Sequence, residues 1–286
     1  MTYTIDLGVI GGTGVYQMGE ISIKDELDID TPFGKPSSSI IIGEAVGKTI
    51  AFLARHGVGH RISPSEINNR ANIYAFKKLG VKSIIAISAC GSLREDFAPG
   101  DFVIPEQLVD FTKDRVRTFF QTGLVAHVST ADPFCPHLSN LLYKAVVETG
   151  STVHKGASLI TIEGPRFSTK AESNLFRSWG MSIIGMTTSP EIFLAREAEM
   201  CYAAIAHVTD YDVWHVHEES VTVDMIMRVL QKNGQVARDS ILNLIKNIDP
   251  YDCDCHHALA SALTTSSSFM DQKEKEKLSI FISKYL

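Results

Sequence analysis

Met200-Cys201-Tyr202-Ala203-Ala204-Ile205-Ala206-His207-Val208 runs directly into Thr209-Asp210-Tyr211-Asp212-Val213-Trp214. The first nine residues are almost wholly apolar and read as a long buried strand. With a side-chain period of two, Asp210 and Asp212 point the same way where that strand ends, at a sheet edge. A carboxylate held at the end of a buried strand costs several kcal/mol unless it is neutralised, paired or used. A turn carrying two solvated acids is the plain alternative, and the other segments decide between the two.

Outward from this strand the same pattern repeats. Leu7-Gly8-Val9-Ile10 is a strand ending in Gly11-Gly12-Thr13-Gly14, and Ile40–Ile42 with Thr49–Leu53 forms a hairpin around Gly47. Ser63 caps a helix that has Pro64 first and Glu66 third, with Gly80 as its stop. Val81–Ile87 is a strand that opens into Ala89-Cys90-Gly91-Ser92, read as a loop of backbone donors. Asp101–Pro105, Ser158–Ile162 and Ser182–Ile184 are further strands. Helices are expected over Leu138–Glu148, from a Ser168 cap to about Trp179, from Ser189-Pro190-Glu191 to about Ala198, and within Val221–Ile248. Strands and helices alternate throughout, which predicts one α/β domain over residues 1–286 built on a central sheet, with 264–286 as a C-terminal tail or short helix.

Of the 286 residues 44% are hydrophobic and 21% charged, and the net charge is −6. There is no basic tract to bind nucleic acid. No apolar run is long enough for a membrane span, and the N-terminus has no signal-peptide pattern, so a cytoplasmic location is expected. In such a compartment Cys90, Cys135, Cys201, Cys253 and Cys255 stay reduced. Whether Cys253 pairs with Cys255, or Cys135 with Cys201, is left open by the sequence. Cys253-Asp254-Cys255-His256-His257, with His215 and His217, offers metal-ligand types, but Cys-x-Cys departs from the usual zinc spacing and no metal is expected.

Several strand ends carry small, polar or glycine-rich turns, and ligands of open α/β sheets bind at such ends. Gly11-Gly12-Thr13-Gly14 can wrap N–H groups around an anion but lacks the spacing of a dinucleotide fingerprint. Arg55-His56 suits a phosphate dianion, with a guanidinium fork beside a tunable imidazole. Cys90 lacks the context of a nucleophile and reads as a small buried side chain.

Taken together, GVIGGTG (8–14), DTPFGKPS (30–37), LARHGVGHRISPSEINNRANI (53–73), ACGSLRED (89–96), ADPFCP (131–136), TIEGPRFST (161–169), AES (171–173), GMTTSPE (185–191) and CYAAIAHVTDYDVW (201–214) resemble the methylthioadenosine phosphorylases of the trimeric purine nucleoside phosphorylase family. The resemblance implies a single-domain α/β fold with a distorted, mixed central sheet flanked by helices. It also implies cleavage of methylthioadenosine by inorganic phosphate, a co-substrate, with no metal or organic cofactor. The implied phosphate site is Thr13, Arg55, His56, Ser88, Ala89 and Thr187. The implied ribose contacts are Met186 and Phe167, backed by Ala89, and the purine contacts are Ser168, Asp210 and Asp212. Val223, Ile226 and Met227 would line an apolar 5′ pocket. His127 would reach a neighbouring subunit's site, which implies a homo-oligomer, a trimer or a dimer of trimers. Gly185 departs from the pattern, because nucleoside phosphorylases and some relatives carry Asn there.

These residue types suit the reaction. A departing purine gathers negative charge, and a carboxylic acid of raised pKa can meet it, for which Asp210 is the candidate. Asp212 would accept from an exocyclic 6-amino group, favouring adenine over 6-oxopurines. Purine nucleoside or methylthioinosine phosphorolysis is the alternative within enzymes, and a non-catalytic nucleoside-binding protein the alternative outside them.

Overall fold

The computed structural model describes residues 3–12, 21–215 and 222–286. Nine strands among these residues form one mixed sheet: β1 (Leu7–Gly11), β2 (Ser22–Leu27), β3 (Ile40–Ala45), β4 (Lys48–Ala54), β5 (Ser83–Ser92), β6 (Phe102–Phe111), β7 (Val153–Ile162), β8 (Ile183–Gly185) and β9 (Cys201–Asp210). Their order is β2-β3-β4-β1-β5-β8-β7-β6-β9, and β9 also pairs with β5. Strands β5, β8, β7, β6 and β9 therefore close on themselves, while β1 to β4 continue from β5 as an open wing. This closure is the distortion of the sheet. It places β9 between two neighbours rather than at the expected edge, and all ten of its residues are buried.

Among the described residues seven helices flank the sheet: α1 (Asn69–Lys78), α2 (Pro136–Val147), α3 (Lys170–Ser178), α4 (Thr188–Glu197), α5 (Val223–Asn247), α6 (Gln272–Lys277) and α7 (Ser279–Ile282). One apolar cluster joins β1, β3, β4 and β5 to α1 and α4 and takes in Leu278, Phe281 and Ile282 from the end of the chain. A second lies beneath α2 and α5, around Leu138, Leu142, Ile241 and Leu244. Among the described residues no helix is long and apolar enough to cross a membrane.

Four local expectations are corrected. Pro64–Glu66 is a single 3₁₀ turn, and Ser63 Oγ donates to Glu66 instead of capping it. The α-helix starts at Asn69, where the Asn68 side chain accepts from the Ala71 N–H. Thr169, not Ser168, caps α3, in a reciprocal capping box with Glu172. Ala89-Cys90-Gly91-Ser92 is the second half of β5 rather than a loop. Strand β2 was not expected, because its polar, largely exposed sequence lacks an apolar face.

Strands β4 and β1, β1 and β5, and β5 and β9 are each parallel. Their carboxyl ends, at Ala54, Gly11, Ser92 and Asp210, therefore lie along one rim. Strand β8 runs antiparallel to β5, pairing Gly91 with Ile184, and its exit at Gly185 returns to the same rim.

Candidate active site

At the end of β4, Arg55 is almost fully buried, at 2% exposure. Its Nε and Nη2 engage both oxygens of Glu191 at 2.8 and 3.0 Å, and Nη2 also reaches the Ile10 carbonyl at 3.3 Å. Nη1 donates to the Ile87 carbonyl at 2.9 Å and to Ser88 Oγ at 3.3 Å. Tyr202 completes the Glu191 carboxylate with a 2.6 Å hydroxyl bond. All five guanidinium donors are thus engaged, and the fork faces Glu191 rather than the rim. The Nη1–Ser88 contact, one of the two longest, faces the hydroxyls. There Ser88 Oγ lies 3.1 Å from Thr187 Oγ1. Arg55, Ser88 and Thr187 form one polar chain, contributed by β4, β5 and the turn after β8.

His56 follows. Its Nδ1 lies 2.8 Å from the Ile62 carbonyl, which can only accept, so Nδ1 carries the proton and Nε2 keeps its lone pair. The ring stacks on His60 at 4.2 Å. Burial, with the nearby Arg55 charge, lowers its pKa to about 4. A neutral His56 therefore presents an acceptor, suited to a protonated phosphate oxygen.

At the end of β9 the two carboxylates are assembled differently from a simple alternation. The β5–β9 register slips by one residue between Cys90 and Gly91, so Val208 pairs with Cys90 and Asp210 with Gly91. Asp212 then sits at a left-handed φ of 51°. This turn brings its N–H to within 2.8 Å of Asp210 Oδ1, while Thr209 Oγ1 donates to Asp210 Oδ2 at 2.7 Å. Both acids are buried, at 6% and 8% exposure. Burial raises Asp210 to about 6, against the two hydrogen bonds that favour its charged form. Burial also raises Asp212, opposed by the hydroxyls of Ser173 and Ser168. Ser168 Oγ, Ser173 Oγ and Asp212 Oδ2 are nevertheless buried without a hydrogen bond of ordinary length. Buried polar atoms rarely go unpaired, and a cluster of them marks a surface made for a polar ligand.

Gly91 makes room for the pair, since a Cβ there would lie 2.9 Å from Asp210 Oδ1 and 3.3 Å from Asp212 Cβ. Gly185 is under no such constraint: a Cβ would meet just the Ala89 carbonyl, at 3.8 Å. Trp214 fixes the loop beyond, donating to the Ser92 carbonyl at 2.8 Å beneath the Arg177 guanidinium.

Met186 and Phe167 are half-buried on the turns after β8 and β7. Arg115 braces both turns, donating to the Met186 and Ser189 carbonyls on one side and to the Glu163 side chain and carbonyl on the other. Ile226 is half-buried on the first turn of α5, whose helical backbone places Val223, Ile226 and Met227 on one face. Thr13 and the side chains of Val223 and Met227 lie outside the described residues. His127 is exposed, with its N–H bonded to the Ala262 carbonyl. The sequence reading missed Glu191, Tyr202, Ser173, Glu163 and Arg115. Glu191 sits in the sequence at the opening of a helix, and no local signal ties it to Arg55, 136 residues away.

A rim of parallel strand ends with a buried acid pair on one side and a hydroxyl–guanidinium chain on the other has the chemistry to take a polar base and an anion together. Residues 6–246 match the Phosphorylase superfamily, and the chain belongs to that family. It is 48% identical over 284 residues to the S-methyl-5′-thioadenosine phosphorylase of Koribacter versatilis, covering 98% of this chain and 96% of the relative. It is 51% identical over 263 residues to the enzyme of that name from Hyperthermus butylicus, covering 90% and 95%. A methylthioadenosine phosphorylase from an Antarctic soil metagenomic library superposes with a TM-score of 0.93 at 45% identity over 97% of this chain and 98% of that one. The Schistosoma mansoni enzyme, solved with adenine, superposes at 0.83 with 34% identity over 98% of both chains.

Proposed function

We infer that this chain catalyses phosphorolysis of S-methyl-5′-thioadenosine, giving adenine and 5-methylthioribose 1-phosphate. It is a pentosyltransferase that uses inorganic phosphate as co-substrate and calls on no metal or organic cofactor for the chemistry. The observation that carries this reading at the level of residues is the buried Asp210–Asp212 pair facing the unpaired hydroxyls of Ser168 and Ser173. A phosphate oxygen attacks the anomeric carbon as the glycosidic bond breaks, and that bond's electron pair leaves with the purine. Protonated Asp210 hands its proton to N7 of the leaving base, and Asp212 accepts from the 6-amino group. Ser88, Thr187 and His56 hold phosphate against the sugar, with Arg55 setting the Ser88 hydroxyl. Met186 and Phe167 flank the ribose, and the Val223–Met227 face of α5 receives the methylthio group.

The same reading assembles the chain as a homo-oligomer, a trimer or a dimer of trimers, in which exposed His127 reaches a neighbouring site, and it locates the enzyme in the cytoplasm. The test is purine release from methylthioadenosine, adenosine and inosine, each with and without phosphate. Phosphate-dependent adenine release, fastest with methylthioadenosine, is expected. Preference for inosine, or release independent of phosphate, would overturn it.

A further inference from the structure

At the opposite end of β9 from Asp210, four cysteines from three separate parts of the chain converge. Cys135 caps the N-terminus of α2, Cys201 is the first residue of β9, and Cys253 and Cys255 come from the segment after α5. Their four sulfur atoms all lie within 4.8 Å of one another. Cys135, Cys201 and Cys255 are buried and Cys253 is half-buried. We propose that Cys135, Cys201, Cys253 and Cys255 form a tetrahedral thiolate site that binds one zinc ion and fastens the C-terminal segment to the sheet.

Three observations favour a metal over paired disulfides. First, the spacing admits a tetrahedron around one ion. Zinc–sulfur bonds of about 2.3 Å imply sulfur–sulfur edges of about 3.8 Å, and Cys135 Sγ lies 3.7 Å from Cys253 Sγ. Second, the surrounding polar groups are spread over different sulfurs, as around a metal-bound thiolate set. The Leu138 N–H points at Cys135 Sγ at 3.5 Å, Arg196 Nη1 at Cys255 Sγ at 3.3 Å, and His256 Nε2 lies 3.5 Å from Cys201 Sγ. Third, the charge is met locally. Zinc with four thiolates carries a net charge of about −2, and it would sit beside the Arg196 guanidinium and the positive end of the 12-residue helix α2. Binding would release the four thiol protons to solvent and change no oxidation state.

Four sulfur ligands leave no open position, so the ion is structural. From Cys201 to Asp210 the strand advances nine residues, about 30 Å at the usual rise, which separates this site from the reaction. Soft, all-sulfur tetrahedral surroundings select zinc over magnesium or calcium. The Cys-x-Cys spacing hides the set in the sequence, because half of it lies in Cys135 and Cys201, far from the pair.

The test uses the full-length chain purified under reducing conditions from zinc-supplemented medium and desalted without chelator. Elemental analysis is expected to give about one zinc per chain. Cys253→Ser and Cys255→Ser should each lose most of it, whereas Cys90→Ser should keep it. Should either variant fail to fold, the wild-type chain decides alone. Refolded with cobalt(II) it should show the thiolate-to-cobalt charge transfer and the intense visible bands of a tetrahedral sulfur site. Stripping zinc should lower the melting temperature reversibly. Two results overturn the proposal: non-reducing peptide mapping that finds these cysteines in disulfides, or four free thiols with no stoichiometric zinc and no cobalt spectrum.

Discussion

Replacing Asp210 by Asn tests the acid role through stability and turnover at once. Asp210 has a pKa of about 6 in the folded protein against an ordinary 3.8, chiefly because burial disfavours its charge. A folded-state pKa raised in this way means that the native chain binds the proton more tightly than the unfolded one. The stability tied to that proton is fully present below pH 3.8 and is lost as pH rises through about 6. Above that the wild type bears the whole cost, about 3 kcal/mol for a shift of roughly two units. Asn has the same shape, can accept from the Asp212 N–H, and can offer its amide to Thr209 Oγ1, which also bonds the Cys90 carbonyl. Asp210→Asn should therefore be more stable than wild type by up to about 3 kcal/mol at pH 7.5 and indistinguishable from it near pH 3.5. Denaturant unfolding at the two pH values reads this directly. Turnover with methylthioadenosine should fall by about 10²–10⁴-fold, the usual worth of a general acid. A variant that keeps near-normal kcat, or whose stability gain is the same at both pH values, would refute the reasoning.

Gly91→Ala should cripple turnover by pushing Asp210 and Asp212 apart, since the new methyl meets Asp210 Oδ1 at 2.9 Å and Ile184 Cγ2 at 3.0 Å. Gly185→Ala, on the neighbouring strand, should leave the melting temperature unchanged, and equal behaviour of the two glycines in thermal melts and steady-state assays would contradict the geometry. Glu191→Gln removes the charge that balances buried Arg55 and should destabilise the fold by about 3–5 kcal/mol, read from the shift in denaturant midpoint. A loss below about 1 kcal/mol, the scale of an exposed pair, would mean that the pair is not buried as described. Asp212→Asn should move the base preference toward 6-oxopurines, and an unchanged ratio of adenine to hypoxanthine release would count against its role at the 6-position.

The rim was legible in the sequence because each of its strands announces itself. Leu7–Ile10, Thr49–Leu53, Val81–Ile87 and Met200–Val208 are apolar runs that stop at small or polar residues, and parallel strands buried on both faces read that way. Strand β2 was not legible, since Ser22-Ile-Lys-Asp-Glu-Leu lies at the outer edge of the sheet and has little surface to bury. Helix starts failed where two caps compete within a few residues. Pro64 opens a turn, but Ile67 is extended and Asn68 takes over the capping. Long-range pairs were the larger loss. Arg55 with Glu191, Arg115 with the Met186 turn, and the four converging cysteines are each defined by folding, with nothing in their local spacing to signal a partner.

The acid pair shows how a reading of residues can rest on incomplete geometry. Strict alternation puts Asp210 and Asp212 on one side of β9 but gives no reason for them to touch. The one-residue slip at Cys90–Gly91 leaves Thr209 unpaired in the ladder, frees its hydroxyl for Asp210, and re-aims the strand end. The left-handed residue Asp212 then folds its own N–H back onto Asp210. At the same place β5 leaves β9 for β8, with Gly91 paired to both Asp210 and Ile184. Where the strands part, the two acids stay buried, which is the condition a raised carboxyl pKa requires. The acid pair thus takes its arrangement from the bulge opposite Gly91, at the point where the closed part of the sheet parts from β9.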